Sequence, residues 1–457
     1  MSLKEVIVLI REKKWFALVS SATLLAATMT ACSSSATNTG GSAPAGSEPA
    51  KTDSGSTEVK TLTLLTGTTG SAYPALQALA AEAEKQLNIK IKFDVKPDGT
   101  EGDNLVKTRL ATGEMSDILF YNSGSLLQAL NPDENFVDLT GEPFMDKLLD
   151  SYKQTVTKDG KVYGIPIGSS NVGGILYNKR VYQELGLSVP KTWAEYIANN
   201  DKIKAAGKVA VIGSYKTTWT SQLYVLGNHY NVQAQNPNFA KDYTENKAKY
   251  ATTPAALRGF EMTEETFKKG YMNEDFLALT YDGALKMLAE GEGVHYPMLS
   301  SAVDSLAMNH PDKVKDISVF PIPSDDPNIN GLTVWMPNSL YINKKSKNVE
   351  AAKKFLEFAI SPEGMKVYMS KAKANGPYVV EGINVPDDAY DAVKDMQPYF
   401  DSGNTAPALE FVSPVKGPNL ESLLIEVGTG QKSALDGAKD YDKDVEKQAQ
   451  QLNLPGW

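Results

Sequence analysis

VKTLTLLTGTTGSAYPALQALAAEAEKQLNIKIKFDV, residues 59–95, decides the fold. Val59, Leu62, Leu64 and Leu65 make a short apolar run that Gly67 to Gly70 break, the pattern of a buried strand ending in a turn. Pro74 opens a helix, because Pro is tolerated where a helix N–H has no partner, and Leu76, Leu79, Ala80, Ala83 and Leu87 follow at a 3.6-residue period. Ile89, Ile91, Phe93 and Val95 then alternate with Lys90, Lys92 and Asp94, as in a strand with one polar face. Outward from there, a helix is predicted from Asn104 to Thr112 with Gly113 as its stop, a strand over Asp117 to Tyr121, and another helix from Ser125 to Leu130. The order βαβαβ requires an open, largely parallel sheet covered by helices. In such sheets ligands bind beyond the carboxyl ends of the strands. Those ends are Thr66 to Ser71, with Thr68 as a candidate contact, and Tyr121 to Gly124.

Further along, a second α/β region begins near Gly173, with helical periodicity at Trp193 to Ala205, Ala256 to Phe267 and Glu350 to Ile360. Ser433 to Gln451 reads as a charged helix closed by Pro455, Gly456 and Trp457. A chain of 457 residues suits two domains better than one core.

Upstream, Arg11, Lys13 and Lys14 precede an apolar stretch from Trp15 to Ala27 and then Met29, Thr30, Ala31 and Cys32. That is the layout of a secretory signal, too short to span a bilayer as a stable helix. Ending in Ala-Cys, it resembles a lipoprotein signal over 1–32, which implies lipid attachment at Cys32 and an extracytoplasmic protein held on the outer face of the cell membrane. Met29 stands where that motif prefers Leu. Ser33 to Glu58 is rich in Ser, Thr, Gly, Ala and Pro and poor in bulky apolar side chains, so 33–58 is predicted to be a flexible tether with a reach of roughly 25–30 Å. Cys32 is the only cysteine, so no internal disulfide can form.

The net charge is -9. Lys4, Arg11, Lys13 and Lys14 outnumber Glu5 and Glu12 in the signal segment, so the remainder is more acidic still. A polyanion is repelled by that field, which excludes nucleic acid as a partner.

Six segments, in order, now carry a resemblance. They are LATGEMSDILFYNSG (110–124), GKVYGIP (160–166), LYNKRVYQELGL (176–187), PKTWAEY (190–196), INKKSKNVEAAKKFLEF (342–358) and SPEG (361–364). Together they make the body from 59 to 457 resemble the family 1 extracellular solute-binding proteins, the class that includes maltose-binding protein. The resemblance implies an α/β, two-lobed periplasmic-binding-protein-like fold of type II. Each lobe is an open, mostly parallel sheet flanked by helices, and three hinge crossings join them. The crossings are expected near Ser169 to Asn171, Asp282 to Leu288, and Thr333 to Asn338. The first lobe then comprises 59–170 and 284–335, and the second 171–283 and 336–457. It further implies a monomer without a cofactor that captures a carbohydrate, of two or more units, between the lobes and hands it to the permease subunits of an ABC importer. Three departures stand out: Ser116 replaces Pro, Ser301 stands where an aromatic often closes GEGVHYPMLSSA (291–302), and Asn338 and Ser339 replace a Gly pair.

Sugars present apolar faces and a rim of hydroxyls, so a site wants flat rings and planar hydrogen-bonding groups. By the resemblance Tyr121 and Tyr177 occupy positions of binding aromatics, with Asn122 beside the first. Trp219 in KTTWTSQ (216–222) matches a Thr-Trp of the family, and Trp335 lies at the last expected crossing. Trp193 reads as core at a helix start, Trp457 as a terminal docking residue, and Asp117 as the organiser of its own turn. Gly-x-Ser-x-Gly, Gly-x-x-x-x-Gly-Lys and dinucleotide Gly motifs are absent, and His229, His295 and His310 are scattered, so no enzyme is expected. A secreted glycoside hydrolase stays open, since its carboxylate pair leaves no sequence spacing to read, as does a binder of a non-sugar solute.

Overall fold

The computed structural model describes residues 59–457; the expected signal over 1–32 with Cys32 and the tether over 33–58 lie outside them. Along the chain run β1 (Lys60–Thr66), β2 (Ile89–Val95) and β3 (Ile118–Tyr121), a small hairpin of β4 (Thr157–Lys158) and β5 (Lys161–Val162), then β6 (Gly164–Pro166). They are followed by β7 (Asn171–Asn178), β8 (Val209–Val211), β9 (Gly293–Leu299), β10 (Ile317–Phe320), β11 (Leu332–Trp335), β12 (Ser339–Ile342) and β13 (Thr405–Pro407).

The first sheet has the order β2-β1-β3-β12-β6. As the opening stretch predicts, β1 pairs in parallel with β2 and with β3, but β12 runs antiparallel to β3 and to β6, so the sheet is mixed where a mostly parallel one was expected. The helix Ala72–Leu87 buries Leu76, Leu79 and Ala83, the residues its period selects. The next helix starts earlier than predicted, at Gly99, and Gly113 caps its end in the left-handed conformation. Asp117 does order its surroundings: its carboxylate accepts from Thr63 N–H (2.8 Å) and Ser346 Oγ (2.6 Å). Partial burial opposes its ionisation, but bonds from Ser346, Thr63 and Asn348 outweigh that and hold the carboxyl below its ordinary range.

The second sheet has the order β13-β11-β7-β9-β8, with β10 also on β7. It is mixed, since β9, β10 and β11 all run antiparallel to β7 while β8 and β13 pair in parallel. This corrects the expected division of the chain. Residues 284–335, assigned above to the first lobe, carry β9, β10 and β11 and belong with the second sheet. Asp282 to Leu288 is not a crossing but part of the helix Tyr281–Glu290, whose Ala284, Leu285 and Leu288 are fully buried against that sheet's core. The stretch from 336 to about 383, expected in the second lobe, belongs instead to the first: the chain returns there at β12, with Phe355 and Leu356 of the helix Val349–Ala359 in the first core. It leaves again near Ile383 to Val385, where Ile383 still packs on the first core and Val385 on the second. Both lobes are therefore discontinuous, and the three crossings lie near Ile167–Asn171, Trp335–Asn338 and Ala372–Val385.

These crossings bond to one another. Ile167 N–H donates to Asn338 O (2.8 Å), Ser170 N–H and Oγ donate to Pro377 O (2.8 and 2.7 Å), and Asn375 N–H donates to Ser169 Oγ (2.8 Å). Glycine at 376 is what permits the approach, because a Cβ there meets the backbone oxygen of Ser170 at 2.7 Å. Gly376→Ala is expected to lower the unfolding free energy by about 1–3 kcal/mol in urea denaturation, the usual range for overpacking. Gly141→Ala, whose added Cβ meets nothing within 4 Å, is the control and should be near neutral. Equal effects would remove the close-approach explanation.

Candidate functional site

The carboxyl ends of β1 and β3 in the first lobe face the end of β11 and the Trp219 turn of the second across two adjoining cavities. One has a volume of about 380 Å³ and the other about 250 Å³. Thr69, Phe120, Asn122, Trp219, Trp335 and Asn338 line both. The larger is bounded by the start of the helix Gly99–Thr112 and by Glu410 to Glu421; all three crossings wall the smaller, which we call the hinge-side cavity.

Each wall residue is held by its own element. Tyr121, at the end of β3 and 2% exposed, donates its hydroxyl to Asp103 Oδ1 at 2.7 Å, and burial raises its pKa well above the ordinary phenol value. Trp219 sits half-buried in a 3-10 turn, Thr218–Gln222, pinned by Ser214 and Thr220; its ring packs on Tyr281 with centroids 5.6 Å apart. Trp335 ends β11 and donates its indole N–H to Glu410. Gly173 on β7 makes room for that indole, since a Cβ there meets the ring at 2.4 Å. Lys416 lies 3.3 Å from Glu410. Across the mouth Thr100 Oγ1 donates to Glu421 Oε1 at 2.7 Å, a contact between the lobes.

Charge in the larger cavity is mixed, with Lys96, Lys107 and Lys416 against Asp98, Asp103, Glu410 and Glu421. A nearly balanced field of this kind does not select a strongly charged ligand; it suits a neutral, polar one. Five buried polar atoms on the cavity walls have no hydrogen-bond partner: Ser125 Oγ on the larger, and Ser123 Oγ, Asn171 Oδ1, Asp304 Oδ2 and Asn375 Oδ1 on the hinge-side cavity. Buried polar groups are nearly always satisfied, so this part of the wall is less fully hydrogen-bonded than a closed core.

Of the sequence candidates, Tyr121, Asn122, Trp219 and Trp335 come together here. Thr68 does not: its side chain is exposed and the next residue, Thr69, lines both cavities, its hydroxyl donating to Asp98. Tyr177 is a second correction. It packs in the core between Tyr182 (4.6 Å between centroids) and Phe320 (5.2 Å), because β7 is covered on both faces and leaves no open side for its rings. Trp193 is core, as read, and donates to Glu265. His295 is sealed between Tyr182 and Asn200, and burial pushes its pKa down to about 3. Ser301, flagged as a departure, lines the hinge-side cavity. Phe120, Asn171, Asp304, Asn375 and Glu410 were not anticipated; they sit on separate segments, and no local spacing links them.

Residues 66–366 match the family model described as bacterial extracellular solute-binding protein. The chain is 23% identical over 304 residues to the multiple sugar-binding protein of Streptococcus mutans, covering 65% of this chain and 69% of that one. It is 25% identical over 404 residues to a maltooligosaccharide ABC transporter solute-binding lipoprotein of Streptococcus pneumoniae, covering 85% and 88%. Among solved structures it superimposes on a chitin oligosaccharide binding protein with a TM-score of 0.75 at 20% identity, over 85% of this chain and 99% of that one, a likeness of fold.

The placement of the aromatics makes a stability prediction. Tyr177→Ala should lower the unfolding free energy by about 3 kcal/mol or more, as for other large-to-small changes in a core. Trp219→Ala, at a half-open wall, should lower it by less. A Tyr177→Ala loss no larger than that of Trp219→Ala in chemical denaturation would put Tyr177 outside the core.

Proposed function

The chain belongs to the bacterial extracellular solute-binding protein family, and on that premise we propose that it captures a carbohydrate of two or more units between its lobes and delivers it to the permease of an ABC importer. Members of this family bind solutes rather than transform them. The observation that carries the reading is the cleft wall itself. Trp219 and Trp335 from one lobe, Phe120 and Tyr121 from the other, and unpartnered polar atoms between them give apolar faces plus a hydrogen-bonding rim. Indoles stack on the CH faces of sugar rings, and Asn, Ser and carboxylate oxygens suit the hydroxyl edge. The relatives named above as binding multiple sugars and maltooligosaccharides support the same class.

Closure is the working step in this reading. A solute that touches both lobes binds the closed arrangement better, and that difference shifts the population toward it. The Thr100–Glu421 bond adds a contact that exists only while the lobes are together. The closed body then docks on the importer as a monomer. Acylation of Cys32 and the segment 33–58 tether it to the outer face of the membrane, and bound sugar leaves chemically unchanged.

Three measurements test this. A thermal-shift panel of several dozen saccharides should return a raised melting temperature for some oligosaccharides, with no hydrolysis of nitrophenyl glycosides; turnover would replace capture by a glycosidase. Trp219→Ala and Trp335→Ala should each weaken the ligand found by about 1–3 kcal/mol, roughly 5- to 150-fold. Unchanged affinity in both would remove the site assignment. Cys32→Ser should move the protein from the membrane fraction to the soluble one, and an unacylated mutant that stays in membranes contradicts the anchor.

A further inference from the structure

Trp335 ends β11 and begins the second crossing, so the backbone torsions that change as the lobes move lie directly after it. A ring attached there swings with the hinge unless something outside the crossing holds it.

The neighbouring strand supplies the hold. β13 pairs in parallel with β11, Val334 opposite Pro407, and Ala408 N–H donates to Val334 O (2.9 Å), so the chain leaves β13 beside the end of β11. The short helix that follows, Leu409–Val412, sets Glu410 against the indole, whose N–H donates to Glu410 Oε1 at 2.5 Å. Leu409 packs in an apolar cluster with Val225, Phe260 and Leu424, so Glu410 is carried by the second lobe. At the far end of the indole, β7 presents Gly173, where a Cβ would run into the six-membered ring. A slot at one end and a hydrogen bond at the other fix the position of the ring and its rotation, while the ring itself lines both cavities.

A carboxylate is a costly choice for this place. Glu410 is 7% exposed, and its other oxygen lies 3.3 Å from the Lys416 ammonium. A buried ion pair often stabilises a fold no more than apolar side chains of the same volume do. What the charge adds is a strong, directional acceptor.

We infer that Glu410 is a positioning residue for the cleft. It ties the Trp335 indole to the second lobe, so the ring keeps one orientation while the second crossing flexes. A solute entering the open protein then meets a ring already set, and binding is spared the entropy of ordering it. The consequence for sugar binding rests on the carbohydrate reading above and deepens it; the tie itself exists without ligand.

Near-UV circular dichroism of the ligand-free protein tests the tie, because an immobilised indole gives a strong signal and a rotating one a weak signal. The spectrum of wild type minus that of Trp335→Phe isolates this ring. The same difference taken between Glu410→Ala and Glu410→Ala with Trp335→Phe should largely collapse. It should persist in Glu410→Gln, whose amide oxygen still accepts the N–H. Titration calorimetry with two probe series, maltose to maltopentaose and melibiose, raffinose and stachyose, tests the consequence. Glu410→Ala should weaken binding roughly fivefold or more, yet by less than about twofold once Trp335 is replaced by Ala, the non-additivity of residues that act as a unit. A residue that only holds the fold weakens both backgrounds alike. If Glu410→Ala melts too low to measure, Glu410→Met with Lys416→Met removes the charge pair together and takes its place. A Trp335 signal unchanged without the carboxylate, or equal losses of affinity in the two backgrounds, overturns the positioning role and leaves the cleft reading standing. Wild type that binds neither series overturns the carbohydrate reading, and the ligand-free spectra still decide whether Glu410 holds the ring.

Discussion

Where the backbone passes between the lobes, its three crossings are hydrogen-bonded to each other, and the rest of the structure depends on that junction. Ser169 and Ser170 of the first crossing hold Asn375 and Pro377 of the third, while Ile167 holds Asn338 of the second. Ser300, at the end of β9, takes the N–H of Val172 and donates to Asn375 O, which ties the second sheet to the same point. The junction is narrow and polar. It fixes where the lobes meet without welding their faces, and that is the condition for a hinge.

Two separately packed sheets follow from it. Each lobe closes its own apolar core, so the surfaces between them can stay largely polar. The cleft then carries what the cores cannot: indole rings with an open face, balanced charges, and oxygens that lack partners in the free protein.

Reading order in the sequence explains what was legible. β1 to β3, the helices between them and the two-lobed class came from periodicity and ordered motifs, because those strands follow one another closely in the chain, whereas β6 and β12, which complete the first sheet, are short and distant from them. Tyr121, Trp219 and Trp335 reach the cleft because each ends a strand or sits in a polar turn, where a large ring has few other reasons to be. Tyr177 misled for the complementary reason: β7 is buried on both faces, so its aromatic is core wherever it points. Asp282 to Leu288 is no crossing because its apolar residues follow helical spacing toward the second core, and that carries 284–335 into the second lobe. The hinge-side cavity could not be seen at all, since Asn171, Asp304 and Asn375 meet only through the crossings.

In the proposed capture the lobes move together on a carbohydrate held between them. Small-angle scattering of the protein, with and without a saccharide shown by calorimetry to bind, measures that motion directly. A smaller radius of gyration with ligand, in a population that is more open without it, is the predicted result. A bound protein of unchanged dimensions would mean a rigid site, and capture by closure would have to be abandoned.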